Sequence, residues 1–417
     1  MAEVQPLRAL HYDPGAAGPL SDLIAPPYDV IDAGQRAALA ARSPYNVVHI
    51  DLPEGNDPYA RAADLLERWQ GERIVVRDAE PALWALTQDY VAPGGERMTR
   101  RGFLCRVRVQ EYGAGRIRPH ERTHPGPLED RLALTRATRA NLSPIFALHS
   151  DPEGAARRVL TGIVAGDPWA EASDDEGTVH RVWRVHDPEA IVALQSALAG
   201  TELLIADGHH RYETARAFAE EVGGEGPHRY VLMCLVALED PGLAVFPIHR
   251  LVAGLGPQRQ EALADALRRD FDIREVAREA LVPDGGGPLR LGYLDAHLRR
   301  PFQLELRDQS IADAALADRP PSYRRLDTAV LEALVLKGAL GMSEEDIAHL
   351  NGLGYSADAG EALRLLDEGA FDAGFFMRPT PVTQVREVAA AGETMPPKST
   401  FFYPKLATGL VFNPLSD

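Results

Sequence analysis

A mixed α/β fold is what this sequence predicts, and three observations predict it. Short apolar runs of strand length alternate along most of the chain with helix-length segments. Two strand-like runs, 81–91 and 101–111, are joined by the turn-forming Pro93-Gly94-Gly95, which makes them an antiparallel pair inside the alternating pattern. A third run, Leu203-Leu-Ile-Ala206, is apolar throughout, as suits a strand buried on both faces. It leads through Asp207-Gly208 into a helix-like segment over 210–221.

Composition narrows the classes. With 417 residues, 45% of them hydrophobic, the chain has room for two or three domains and an ordinary globular core. A net charge of −17 and a pI near 5.3 argue against a general nucleic-acid binder, because phosphate affinity comes largely from Lys and Arg. A local basic pocket for a small anion is still allowed. Cys105 and Cys234, the two cysteines, both sit in apolar strand-like runs, so neither a disulfide framework nor a cysteine zinc site is indicated. With no apolar signal region near the N-terminus and no run of membrane-spanning length, a cytoplasmic setting is expected.

In chain order, 4–10 reads as a strand followed by a Gly/Pro loop. Ile24-Ala-Pro-Pro-Tyr-Asp-Val-Ile31 follows, where two prolines stiffen the backbone and present Tyr28 and Asp29 rigidly. Its bland reading is a stiff loop packing Tyr28; its functional reading centres on Asp29. Residues 32–42 read as a helix, 46–51 as a strand and 57–70 as a helix. After the hairpin comes Arg118-Pro-His-Glu-Arg-Thr123, then Pro125-Gly-Pro127 and a helix over 128–141. In that Pro-bounded loop His120 and Glu121 stand with Arg118 and Arg122, a set able to grip a phosphate or a metal-bound anion. Glu129 and Arg136 read as a solvated helix face. Strand 143–149, helix 152–165, strand 179–185 and helix 190–198 lead to the stretch on which the functional reading rests.

That stretch runs Leu203-Leu-Ile-Ala-Asp-Gly-His-His-Arg-Tyr-Glu-Thr214. Asp207 can cap the helix start, and Gly208 lets backbone approach a ligand. Helix amides, the dipole end and Arg211 then favour an anion, at a strand end where α/β folds bind ligands. His209, His210 and Glu213 add titratable groups. On the bland reading Asp207 only caps, the histidines only hydrogen bond, and Arg211 pairs with Glu213 or another carboxylate.

Beyond it, 229–238 and 243–248 read as strands, and a helix over 258–269 opens a second lobe with strands 289–293 and 302–306. Helices over 328–336, 344–350 and 359–368 follow, too acidic for a DNA-binding pair. In Met395-Pro-Pro-Lys-Ser-Thr-Phe-Phe-Tyr-Pro-Lys405, Lys398 and Lys405 can supply point charges for phosphate, and Ser399 and Thr400 hydroxyl donors. The plainer reading is an aromatic anchor. The expected divisions are an α/β domain over 1–253, a second α/β lobe over 254–392, and a tail over 393–417 that packs back on the core. Neither a Gly-x-x-x-x-Gly-Lys-Ser/Thr loop nor a Gly-x-Gly-x-x-Gly fingerprint occurs.

Ala25-Pro-Pro-Tyr-Asp-Val-Ile31, Asn46-Val-Val-His49, Arg118 to Thr123 with Glu129-Asp-Arg131, Ala206-Asp-Gly-His-His-Arg-Tyr212 and Met395 to Lys405 together resemble the bacterial and archaeal domain-of-unknown-function family 1015. The Asp207 to Arg211 element is also similar to the nucleotide-handling motif of the ParB/sulfiredoxin-like superfamily, notably the free-serine kinases, which make O-phosphoserine from L-serine. The resemblance implies a core of that type, in which Asp207 and Gly208 shape a phosphate turn, His209 and His210 contact phosphate or magnesium, and Arg211 neutralises charge.

The expectation is therefore a kinase dependent on ATP or ADP and Mg2+ that acts on a small hydroxylated metabolite, free L-serine first. Arg118, Arg122, Arg211 and Lys398 would hold phosphates, with His120, Ser399 and Thr400 beside them; Asp207 or Asp29 would position magnesium. Glu121 is the first base to test, with Asp29 and Asp130 as alternatives. A sulfiredoxin-like reductase is disfavoured by the apolar cysteines. Two rivals stay open: a non-catalytic nucleotide-sensing module, and a metal-dependent hydrolase built on His120, His209 and His210. A homodimer is the candidate assembly.

Overall fold

The structure, a computed structural model, describes residues 2–92, 95–121 and 125–416. It divides into two compact units: Met1–Pro119, Thr123–Leu243 and Pro404–Asp417 form one, and His120–Arg122 with Ala244–Tyr403 form the other.

The first unit is built on a nine-stranded mixed sheet. Its strands are β1 (Val4–Gln5), β2 (Leu83–Val91), β3 (Arg97–Arg108), β4 (Ile117–Arg118), β5 (Ile145–His149), β6 (Ala170–Ser173), β7 (Val179–Val185), β8 (Leu203–Asp207) and β9 (Tyr230–Ala237). Their spatial order is β4-β8-β5-β9-β3-β2-β7-β6, with β1 alongside β3. The β4/β8 and β5/β9 pairs are parallel and the remaining pairs antiparallel, including the expected β2/β3 hairpin. Seven helices accompany the sheet in the argument below: α1 (Ala33–Arg42), α2 (Val48–Asp51), α3 (Pro58–Gly71), α4 (Pro125–Thr138), α5 (Ala155–Ile163), α6 (Pro188–Leu198) and α7 (His209–Val222). Leu83, Ala85, Phe103, Cys105 and Met233 pack with Leu160, Leu194, Leu198 and Tyr212 in one buried cluster. Each large side chain buried there stabilises the fold by about 1.5–3 kcal/mol.

Local chemistry explains where the elements start. The Asp32 carboxylate accepts from the Gln35 backbone amide while the Gln35 side-chain oxygen accepts from the Asp32 backbone amide, a capping box that opens α1. Asp57 caps α3, with Pro58 in its first turn.

Three expectations fail in this unit, each for an identifiable physical reason. Residues 46–51 form a turn and helix α2, not a strand. The Asn46 side-chain amide donates to the carbonyls of Asp22 and Ile24 at 2.8 and 3.1 Å, and its Oδ1 accepts from the Val48 amide at 3.0 Å. A buried Asn that closes a turn in this way outweighs the β-branched residues after it. The run 4–10 is split: Val4–Gln5 joins the sheet, whereas Leu10–Tyr12 pairs with Val75–Arg77, and Pro6 between them offers no amide to continue a ladder. Helix α4 stops at Thr138, because Arg139 turns left-handed (φ 50°), and Ala140–Asn141 pairs with Asn413–Pro414.

The second unit holds a six-stranded antiparallel sheet in the order Phe271–Glu275, Pro301–Leu306, Arg290–Asp295, Ala373–Phe376, His249–Val252, Leu353–Ser356. Leu291, Leu304, Val335 and Phe375 are central to its core. The run 243–248 contributes only Ala244–Phe246, which pairs with Phe401–Tyr403. The helix expected over 328–336 is α-helical at Asp327–Leu331 and then widens to a π-helix over Glu332–Ala339. Gly338 fits that wide turn, since a Cβ there would stand 2.8 Å from the Ala333 carbonyl. Among the described residues, no helix is long and apolar enough to cross a membrane.

Candidate functional site in the first unit

The site grows from the end of β8. The β8/β5 register slips between Ile205 and Asp207, an irregularity that turns Asp207 opposite Phe146. The chain then reverses through Gly208 at φ 95°, ψ 32°, and α7 begins. Two facts require glycine there. The left-handed backbone disfavours a side chain, and a Cβ would stand 2.9 Å from Arg211 Nε.

Asp207 does not cap α7, whose N-cap residue is Gly208 with no side-chain capping bond. Its two oxygens serve cations instead. Arg211 Nη2 donates to Oδ2 at 2.6 Å, and Lys405 Nζ donates to Oδ1 at 2.6 Å. Burial works to raise the Asp207 carboxyl, but Lys405 and then Arg211 overcome it and hold the group well below the ordinary carboxylate range. Nor does Arg211 pair with Glu213. Arg211 also donates to Ser143 Oγ at 2.8 Å and to the Pro144 carbonyl, while Glu213 pairs with Arg216. His209 is buried near Asp207 and His210 half-buried.

Arg211 also lines a cavity of about 40 Å³, whose polar walls include Tyr28, Asp51, Arg131, Ser143 and Thr214. Arg131 binds the Asp51 carbonyl at 2.8 Å and its carboxylate at 3.3 Å, bonds Asp130 at 2.6 Å, and lies 4.2 Å from the centre of the Tyr28 ring. Burial, offset in part by Arg131 and then Arg211, pushes the Asp51 carboxyl up. Burial likewise pushes the Tyr28 phenol up to about 12, against the opposing pull of Arg211. Thr214 Oγ1 is buried on this wall and has no hydrogen-bond partner among the described residues.

One guanidinium thus joins a strongly acidic carboxylate on one side to a cavity with a more basic carboxylate on the other. A space of this size, walled by Arg211, Arg131, hydroxyls and the Asp51 carboxylate, offers cationic and hydroxyl donors to an anionic group at its mouth and a carboxylate able to exchange a proton there.

The other sequence-predicted residues fall as follows. Asp29 is exposed and acts electrostatically on Tyr28, Asp51 and Arg211. Arg118, in β4, pairs with Glu202 at 2.7 Å. Arg122 lies outside the described residues. His120, Glu121, Lys398, Ser399 and Thr400 belong to the second unit. There His120 Nε2 lies 3.0 Å from Thr400 Oγ1 and 3.9 Å from Glu121, Ser399 Oγ meets Thr328 Oγ1 at 2.9 Å, and Lys398 is exposed at φ 56°. Among the described residues no group of three or more His, Cys, Asp or Glu is placed to hold a metal ion. Both cysteines are buried, and burial pushes their thiols up. Sequence reasoning missed Asp51. The signal available was its place just after the Asn46 turn, concealed by reading that run as a strand.

Among solved structures the chain is similar to a conserved hypothetical protein from Pyrococcus furiosus (15% identity, TM-score 0.34, covering 69% of this chain and 86% of that one). It is similar also to a free serine kinase variant in complex with ADP (13%, 0.36, 69% and 83%). A third likeness is to SbnI with a C-terminal truncation from Staphylococcus aureus (13%, 0.37, 73% and 85%). Likenesses of this degree decide neither activity nor substrate. No curated protein matches the chain. A family model does match, over residues 4–329, and the chain belongs to that family, described as "Protein of unknown function (DUF1015)".

Proposed function

We propose that the first unit binds a nucleotide at the Asp207–Arg211 turn and transfers a phosphoryl group to a small hydroxylated acceptor, with free L-serine the specific acceptor expected from the motif resemblance. The observation that carries this is the position of Arg211, bonded to Asp207 and lining the cavity with Asp51. Phosphoryl transfer needs little covalent help from protein; it needs charge neutralisation and an oriented acceptor. Arg211, Lys405 and the N-terminus of α7 meet the first need. Asp51 meets the second, as a buried carboxylate whose raised proton affinity suits a base accepting the acceptor's hydroxyl proton.

Magnesium fits part of this set. Asp207 has each oxygen engaged by a cation, whereas Asp29 is exposed beside the site and would be the carboxylate to meet a dication arriving with the nucleotide, which leaves Asp51 to act as base. Magnesium needs only one or two protein carboxylates when phosphates and water complete its shell, and it would offset charge on the transferring group. Titration of ADP and of ATP with magnesium into the wild type and Arg211→Lys tests the binding step. A loss of about tenfold or more in affinity is expected, corresponding to the ~1.5–3 kcal/mol of a charge-assisted hydrogen bond. Equal affinity in both proteins would refute the assignment of Arg211.

A further inference from the structure

The sheet of the first unit carries a row of polar side chains through its apolar interior. His180 on β7 stands opposite Gln88 on β2, and Gln88 stands opposite Arg100 on β3, so the three are lateral neighbours across three strands. None is more than 1% exposed. Polar residues this deep cost stability unless their bonds are completed.

The bonds lead to the C-terminal tail. Arg100 Nε donates to Gln88 Oε1 at 3.0 Å, which identifies that atom as the amide oxygen. The amide nitrogen then has two protons to place. One goes to the Lys405 carbonyl at 2.9 Å, and the other faces His180 Nδ1 at 3.3 Å. Since Nδ1 must accept, the imidazole proton sits on Nε2, which donates to Asp174 Oδ2 at 2.9 Å. Arg100 Nη2 donates to the Pro404 carbonyl at 2.6 Å. Its guanidinium lies 4.4 Å from the centre of the Phe146 ring, and Phe146 is the residue paired with Asp207.

Arg100 is therefore a buried cation held by amide and carbonyl oxygens, with no carboxylate in ion-pair range among the described residues. Burial lowers its affinity for a proton, to about 10, so the group keeps its charge at neutral pH. A core that needed only filling would be served better by an apolar residue. What the arrangement achieves is to hold two consecutive peptide carbonyls, those of Pro404 and Lys405, immediately before the side chain that reaches Asp207.

We propose that Gln88 and Arg100 are positioning residues for the candidate site: by fixing the Pro404 and Lys405 carbonyls they set Lys405 Nζ on Asp207, so that the site is complete only when the tail is seated on the polar row. This rests on the nucleotide reading only in its consequence for ligand affinity; the seating of Lys405 is measurable without a ligand.

The test has two arms. In the first, competitive acetylation of lysines in the full-length protein, read by mass spectrometry, reports how far Lys405 is protected by its ion pair. Gln88→Glu keeps an acceptor for Arg100 but loses the donor to the Lys405 carbonyl. It should raise Lys405 labelling roughly fivefold, the equivalent of one hydrogen bond, relative to Lys337 in the same protein. Arg100→Met, which has no donor for Gln88 or for the Pro404 carbonyl, is the second variant should the first fold poorly. Labelling unchanged in a folded variant would overturn the proposal. In the second arm, ADP affinity is measured for Gln88→Glu, Lys405→Met and the double variant. If Gln88 acts through Lys405, its substitution weakens ADP binding in the wild-type background and has no further effect in Lys405→Met. Independent, additive losses would mean a purely structural role and would also overturn it. Absence of ADP binding by the wild type would remove the nucleotide reading, and the labelling arm would still decide the positioning role.

Discussion

Lys405 Nζ lies 2.6 Å from Asp207 Oδ1, joining residues 198 positions apart in the chain. With Arg211 at 2.6 Å from the other oxygen, Asp207 is a hub between a strand end, a helix start and the C-terminal tail. Its charge follows from that geometry, since two cations outweigh the penalty of burial.

Replacing this carboxylate should expose the arrangement. Asp207→Asn leaves Lys405 and Arg211 facing each other without an anion, and breaking a buried pair in this way costs about 3–5 kcal/mol. The pH dependence has a definite sign. The folded-state pKa lies below the unfolded value of roughly 3.9, so the pairing stabilises fully above about pH 4 and is lost as pH falls through the folded value. Thermal unfolding of wild type and Asp207→Asn from neutral to acid pH should show the gap between them narrowing only below about pH 4.

Gly208→Ala should act on the same hub by a steric route. A left-handed residue with a side chain costs about 1–2 kcal/mol, and the new Cβ would press on Arg211 Nε at 2.9 Å. Chemical denaturation should show that loss, accompanied by weaker nucleotide binding. Full stability with full binding would contradict the geometry described for the turn.

In the second unit, His249 is buried on its strand, and its Nδ1 accepts the Met377 amide at 3.1 Å. Burial, with Arg250 adding to it, depresses the imidazole to about 4. A histidine depressed on folding contributes stability that is complete above its unfolded value near 6.5 and declines as pH falls from there to about 4. Proton NMR should find this ring neutral at pH values of roughly 5–6, where an ordinary histidine titrates.

The sequence made much of this frame legible, because the relevant signals are local. The apolar run 203–206, the turn at Asp207-Gly208 and the following helix lie within one window, as do the β2/β3 hairpin and the Asp32 cap of α1. What escaped was set by distant partners. Asn46 folds 46–51 into a turn and helix through carbonyls of Asp22 and Ile24, so Asp51 was hidden inside a false strand. Asp207 reads as a cap until Lys405 and Arg211 are seen to claim its oxygens. Gln88 and Arg100 are polar residues within strands, and the carbonyls of Lys405 and Pro404 that complete their hydrogen bonds lie 317 and 304 residues further along the chain, out of reach of any local signal.

Phosphoryl transfer from ATP, and separately from ADP, to free L-serine in the presence of magnesium bears most directly on the function, comparing wild type with Asp51→Asn and Glu121→Gln. O-phosphoserine should form with the wild type, fall by about 10²–10⁴ in Asp51→Asn as expected for loss of a general base, and persist in Glu121→Gln. Nucleotide binding without transfer from either donor would contradict the kinase reading in favour of a sensing module, and wild-type turnover by Asp51→Asn would remove Asp51 from the base role.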